Sequence, residues 1–156
     1  MAGKGPLNWT TKIKARVTAQ ECVGMLVDHG AERAGLVVKD KRPVGVEFQI
    51  DTRWGLRHYA LPVDVDANQA LLRKALNEGR IDPGGGRTRS FLIGREHAED
   101  VAWRVMRDWL EVQISMIESG LASMERLLLS WQLVSPGQDM FDALDEQQLQ
   151  LPPAGS

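Results

Sequence analysis

Two tryptophans flanked by cations are the residues of this chain best equipped to bind a ligand. Trp9 precedes Lys12, Lys14 and Arg16, and Trp54 lies between Arg53 and Arg57. Unpaired bases stack on indoles while neighbouring cations neutralise phosphates, each stack contributing about 1–3 kcal/mol. A further basic stretch, RIDPGGGRTRS at residues 80–90, places Arg87 and Arg89 after three consecutive glycines, in a loop able to close over an anionic strand. That loop lacks the lysine and the spacing of a phosphate-binding P-loop and follows a helical pattern instead of a strand. These nine aromatic and basic residues form the candidate nucleic-acid-binding set. The competing reading has each indole capping an edge of the core.

The residues usual in catalysis are sparse. His29, His58 and His97 fall in three different segments without HExxH or HxH spacing, so no metal site is expected. His29 follows a helical segment, where the dipole favours an imidazolium; His97 sits beside Glu96, Glu99 and Asp100, acids that suit a helix N-terminus. Cys22 is the single cysteine and shares a helical face with Leu26, the pattern of a buried thiol. It excludes an intrachain disulfide. No GxSxG motif and no serine or cysteine with a neighbouring histidine appears. The expectation is a protein without catalytic residues or cofactor; an enzyme would require His58, His97 and Asp51 to converge in the fold.

Charge is distributed unevenly. The net charge is −2, yet residues 1–20 hold Lys4, Lys12, Lys14 and Arg16 with no acid, while nothing basic follows Arg126. Asp139, Asp142, Asp145 and Glu146 make the C-terminal stretch acidic, and Met140, Phe141 and Leu144 recur there at helical spacing. A basic arm and an acidic tail suit a partner or mutual masking. With 43% hydrophobic and 26% charged residues among 156, the composition is globular, and no apolar run approaches the roughly 20 residues of a membrane span. Nor do residues 1–7 contain a signal-peptide core, so the expected location is the cytoplasm, without membrane association.

These residues must be positioned by alternating helices and strands. A capping-box pattern at residues 18–21 predicts a helix over 19–29 ended by Gly30, with Val23, Leu26 and Val27 inward. Alternation over 34–39, 44–50 and 56–61, punctuated by turns at 40–43 and 51–55, predicts a three-stranded antiparallel meander. Residues 11–17 alternate as well and suggest a fourth strand with Lys12, Lys14 and Arg16 on its outer face. Asp66 is the expected cap of a shorter helix ending at Gly79. Residues 127–134 alternate as a further strand, and 139–151 read as a short acidic helix before a disordered PPAGS end.

The longest element is a helix over 95–120 with two apolar stripes covering roughly 220° of its circumference. Ala98, Val101, Ala102, Val105, Trp109, Val112 and Met116 form one; Trp103, Leu110, Ile114, Ile117 and Leu121 form the other. A helix this apolar must be covered on two sides. The second stripe, with Trp103 as anchor and Leu110, Ile114 and Ile117 beside it, is the expected homo-oligomer interface.

The stretches AWRVMRDWLEVQISMIESG, TAQECVGMLVDHGA and GVEFQIDTRWG resemble small proteins of unknown function encoded by bacteriophages and prophages. The resemblance spans residues 12 to about 133, carries no functional residue, and implies the company of genes for DNA replication and recombination. The fold expected is α+β: a small antiparallel sheet of three to five strands against one long and one or two shorter helices. Residues 1–134 form the domain, and 135–156 form the acidic tail. The function expected is binding of nucleic acid, single-stranded, by an oligomer. The alternative is a protein-interaction module, such as an inhibitor of a host enzyme, docking through the second stripe or through Asp139, Met140, Phe141 and Leu144.

Overall fold

In the computed structural model, two helices lie side by side and parallel across one face of a three-stranded sheet. Residues 3–147 and Gly155 are described. The first helix, α1 (Ala15–Asp28), leads into strands β1 (Ala31–Lys39), β2 (Arg42–Thr52) and β3 (Gly55–Pro62), and α2 (Val65–Asn77) and the one-turn α3 (Arg89–Leu92) precede the long helix α4 (Arg95–Glu118). A short helix α5 (Met124–Leu128), a 3-10 turn, strands β4 (Leu133–Ser135) and β5 (Gln138–Asp139) and helix α6 (Met140–Glu146) follow. The architecture is α+β, with the sheet order β1-β2-β3 antiparallel throughout.

The direction of α1 against α4 follows from their polar contacts. The Ala15 amide donates to Asp100 Oδ1 (2.7 Å), Arg104 and Arg107 donate to Glu21, and His29 Nδ1 lies 2.6 Å from Glu118 Oε1. Asp100 thus supplies the acceptor that Lys14, the N-cap residue, lacks, so the helix begins at Ala15. This overrides two expectations. Residues 11–17 supply no strand, because the chain is already helical from Ala15. The apparent capping box lies inside the helix, where Thr18 is buried and Glu21 is engaged by the two arginines. Accordingly Ala15, Ala19, Cys22 and Leu26 form the inward stripe, while Val27 points outward.

The width of the apolar surface on α4 has an internal explanation. One side packs with α1 and the sheet, where Trp103 and Leu110 join Val46, Phe48, Tyr59 and Leu61. The other packs with α2 and the following loop, where Ala98, Val101 and Ala102 meet Leu72, Ala75, Leu76, Ile81 and Leu92. Trp103 is fully buried and donates through Nε1 to the Pro43 carbonyl at 3.2 Å. Trp103 and Leu110 therefore present no surface to a second chain; the chain's own sheet covers them. Ile114 and Ile117 are half-buried on the same side.

Phe48 and Tyr59 stack beneath α1 and α4 at 5.1 Å between centroids. Tyr59 and Leu61 define the inner face of β3, so His58 projects from the outer face, 3.5 Å from Glu47. Asp64 caps α2 by accepting from the Ala67 amide; Asp66, one turn position inside, pairs with Arg95. Residues 127–134 form no single strand. Ser123 accepts from the Arg126 amide and starts α5, Leu128 enters the core, and only residues 133–135 extend. Burial of one leucine at helical register outweighs local alternation there. The β4–β5 hairpin crosses the expected boundary at 135, and α6 is capped by Asp139, which accepts from the Asp142 amide. The expected continuation of that helix to 151, and the PPAGS end, lie outside the described residues apart from Gly155.

Candidate functional site

The start of α4 gathers basic segments from three distant parts of the sequence. Its first two turns carry three acids, Glu96 at the surface and Glu99 and Asp100 buried, placed there because carboxylates are favoured at the positive end of a helix. Each acid holds a cation from elsewhere. Lys14 Nζ lies 3.3 Å from Glu96 and 3.5 Å from Asp100, and these partners raise its pKa, the Glu96 hydrogen bond most of all. Arg42, at the β1–β2 turn, donates to Glu99 at 2.6 Å. Arg87 donates instead to the Thr11 carbonyl (2.7 Å) and stacks its guanidinium 5.2 Å above the Phe91 ring.

Every one of these tethered cations has untethered ones close by in the chain. Lys12 and Arg16 flank Lys14, Lys39 and Lys41 precede Arg42, and Arg89 follows Arg87. All five are exposed, and among the described residues none forms an ion pair. The tethered members fix where each segment lies; the others present charge to solvent.

The β1–β2 turn adds a feature invisible to hydrophobic pattern. Asp40 and Lys41 both have left-handed backbone, with φ of 51° and 63°. A two-residue hairpin turn of this kind takes positive φ at both positions and most readily accepts Asn-Gly or Asp-Gly. Here Lys41 occupies the glycine position. A lysine is thereby held at the hairpin tip despite a local penalty of about 1–2 kcal/mol.

The N-terminal arm is anchored along α4, from its first turn to its middle. His97 Nε2 lies 2.8 Å from the Trp9 carbonyl oxygen, and Asn8 Nδ2 donates to Asp108. The His97 ring is buried and packs 4.9 Å from Phe91. Burial depresses its pKa, against the opposing effect of the Trp9 hydrogen bond. A neutral ring donating from Nε2 to that carbonyl leaves Nδ1 buried and unpartnered. His97 is therefore a strut between arm and helix, far from His58 on the outer face of the sheet. The two histidines do not converge with Asp51, and no three His, Cys, Asp or Glu side chains cluster as metal ligands among the described residues.

Of the nine sequence candidates, five come together: Lys12, Lys14, Arg16, Arg87 and Arg89. Trp9 is half-buried and packs against the second core cluster, so its indole is no open stacking platform. Arg53, Trp54 and Arg57 lie elsewhere. The Arg53 amide donates to Glu125 in α5, beyond the far end of α4, and a 24-residue helix spans about 36 Å. Trp54 is 48% exposed there, remote from the arm. One groove lined by both indoles is not formed. In their place the fold recruits Lys39, Lys41 and Arg42, which sequence reasoning passes over as an ordinary turn; the signal was the lysine where a glycine is favoured.

Fold and site together define an α+β protein with two parallel helices on one sheet face and a basic end at the start of the longer helix. No protein-family model, curated protein or solved structure matches the chain.

Proposed function

We propose that this protein binds nucleic acid through the phosphate backbone, using the basic end around the start of α4, as an accessory protein of phage or prophage DNA metabolism. The observation that carries the reading is the repeated pairing of a tethered cation with exposed, unpaired ones in three separate segments. The three acids with the three tethered cations, Lys14, Arg42 and Arg87, would alone make a neutral surface. The pairing instead sets five cations, Lys12, Arg16, Lys39, Lys41 and Arg89, around a fixed frame. Phosphate contacts of this kind give affinity without sequence preference. Since no open indole adjoins this end, base stacking is no part of the mechanism, and single strands have no advantage from it.

The test is fluorescence anisotropy of labelled 20-nucleotide duplex and single-stranded probes at several salt concentrations. Five contacts predict a slope of log K against log salt of about −4.5 for duplex and about −3.5 for single strands. Salt-independent affinity, or none, refutes the proposal. A second reading has its own observation: Phe141 and Leu144 of α6 are exposed on an acidic helix. That surface suits docking to a basic, apolar groove of a partner protein, and it predicts a complex that Phe141→Ala with Leu144→Ala abolishes.

A further inference from the structure

Between the C-terminal halves of α1 and α4 a cavity of about 310 Å³ opens from the surface into the main core. Its floor is Phe48, Leu110 and Leu128, residues otherwise buried in the core, and Leu26, Ile114 and Ile117 form its walls. The recess is open to solvent at its mouth and mostly apolar within. Its size and lining are those of small-molecule sites: an apolar body with a few polar groups at one end.

Of the polar groups that line the cavity, the two carboxylates are the only acids or bases with a fixed charge. Asp28, His29, Gln113 and Glu118 surround the mouth, and no lysine or arginine lines it. His29 Nδ1 is engaged with Glu118 Oε1 at 2.6 Å, which leaves the second Glu118 oxygen and the Asp28 carboxylate as acceptors. His29 ends α1, so this pair also joins the ends of the two helices that bound the cavity.

We infer that this cavity is a binding site for a small amphiphile with an apolar body and a cationic ammonium head, the body entering between Leu26 and Ile114 and the head meeting Asp28 and Glu118. A fatty acid would place its carboxylate against two others, so the rim selects against it. The site lies toward the opposite end of α4 from the basic surface and stands on separate observations.

The experiment is calorimetric titration and thermal denaturation of the full chain with decylammonium and decanoate, each below its micelle concentration, and decanol below its solubility limit. Decylammonium should bind saturably at one site and raise the melting temperature, with decanoate at least tenfold weaker. Ile114→Trp fills the recess and should abolish binding by all three. Glu118→Gln, an exposed substitution that leaves the core intact, should weaken decylammonium about three- to tenfold while leaving decanol unchanged. Decanoate binding as tightly as decylammonium overturns the assignment of the head. No saturable binding, or binding that survives in a folded Ile114→Trp protein, overturns the site itself. Should Ile114→Trp fail to fold, the Glu118→Gln comparison decides: equal loss for decanol and decylammonium, or loss for neither, refutes the inference.

Discussion

Replacing Lys41 by glycine should make the protein more stable and a weaker ligand for nucleic acid, two effects of opposite sign from one substitution. The stability gain follows from φ of 63° at that residue. A left-handed L-residue costs about 1–2 kcal/mol. Glycine removes this penalty but adds about 0.5–1 kcal/mol of unfolded-chain entropy. The net gain is about 0.5–1 kcal/mol, a rise of about 1–4 °C in melting temperature for a domain of this size. The binding loss follows from the charge. One phosphate contact fewer lowers the duplex salt slope by about 0.9, which is about eightfold in affinity at 0.1 M salt and nothing near 1 M. Lys41→Gln is the control: it retains the strained backbone, so its melting temperature should stay at the wild-type value while its salt slope falls as much as that of glycine. Differential scanning calorimetry and anisotropy on the three proteins read both effects. If Lys41→Gly melts no higher than wild type, the turn stores no strain; if neither variant changes the slope, Lys41 touches no phosphate.

Four other outcomes follow from the same geometry. Trp103→Ala should cost about 3–5 kcal/mol, as large aromatic deletions do, and leave the elution volume of the folded protein unchanged, whereas an interface anchor would shift its association state. Asp100→Ala removes the acceptor for the Ala15 amide; urea denaturation should show a loss of about 1–2 kcal/mol, with faster amide exchange confined first to the start of α1. The pKa of His97 is lowered in the folded protein, so the unfolded chain binds the extra proton first as pH falls below about 6.5, and stability should drop by at most about 1.4 kcal/mol per pH unit until the folded ring also protonates. His97→Phe should flatten that part of the stability profile and loosen the arm to protease. Burial pushes the Cys22 thiol up to about 11, so a thiol reagent should modify it only at the rate of unfolding.

The meander was legible because β2 and β3 obey the simplest rule: alternate residues Val46, Phe48, Tyr59 and Leu61 are buried and the turns fall at Asp40-Lys41 and Arg53-Trp54. The length and double stripe of α4 were equally legible. What covers the second stripe was not, because two apolar sides on a helix specify two neighbours without saying whether they belong to the same chain. Trp103 against Pro43 answers that through a contact between residues 60 apart in sequence. The same limit explains the missed start of α1. Asp100, 85 residues away, provides its N-terminal acceptor, and no local pattern competes with a buried charge-assisted hydrogen bond at 2.7 Å. At the candidate site, cations and indoles could be recognised by type, but grouping them requires knowing that β1 runs back along α4, bringing Lys39 and Lys41 to its start and leaving Trp54 at its far end.

The acids at that helix start clarify why the basic surface is built as it is. Glu96, Glu99 and Asp100 oppose phosphate binding, and removing them would raise the net positive charge there. Yet Lys14 and Arg42 owe their positions to these acids, and with them the arm and the hairpin. Free cations on unanchored segments would retain full conformational freedom, and ordering each long side chain and its backbone on binding costs of the order of 1 kcal/mol. Anchoring moves that cost into folding. The expected signature is a variant with higher charge and lower affinity: Glu99→Gln releases Arg42, adds one net positive charge to the surface, and should still weaken duplex binding at 0.1 M salt by loosening the hairpin that carries Lys39 and Lys41. Tighter binding by Glu99→Gln would mean that charge alone governs the surface and that its arrangement contributes nothing.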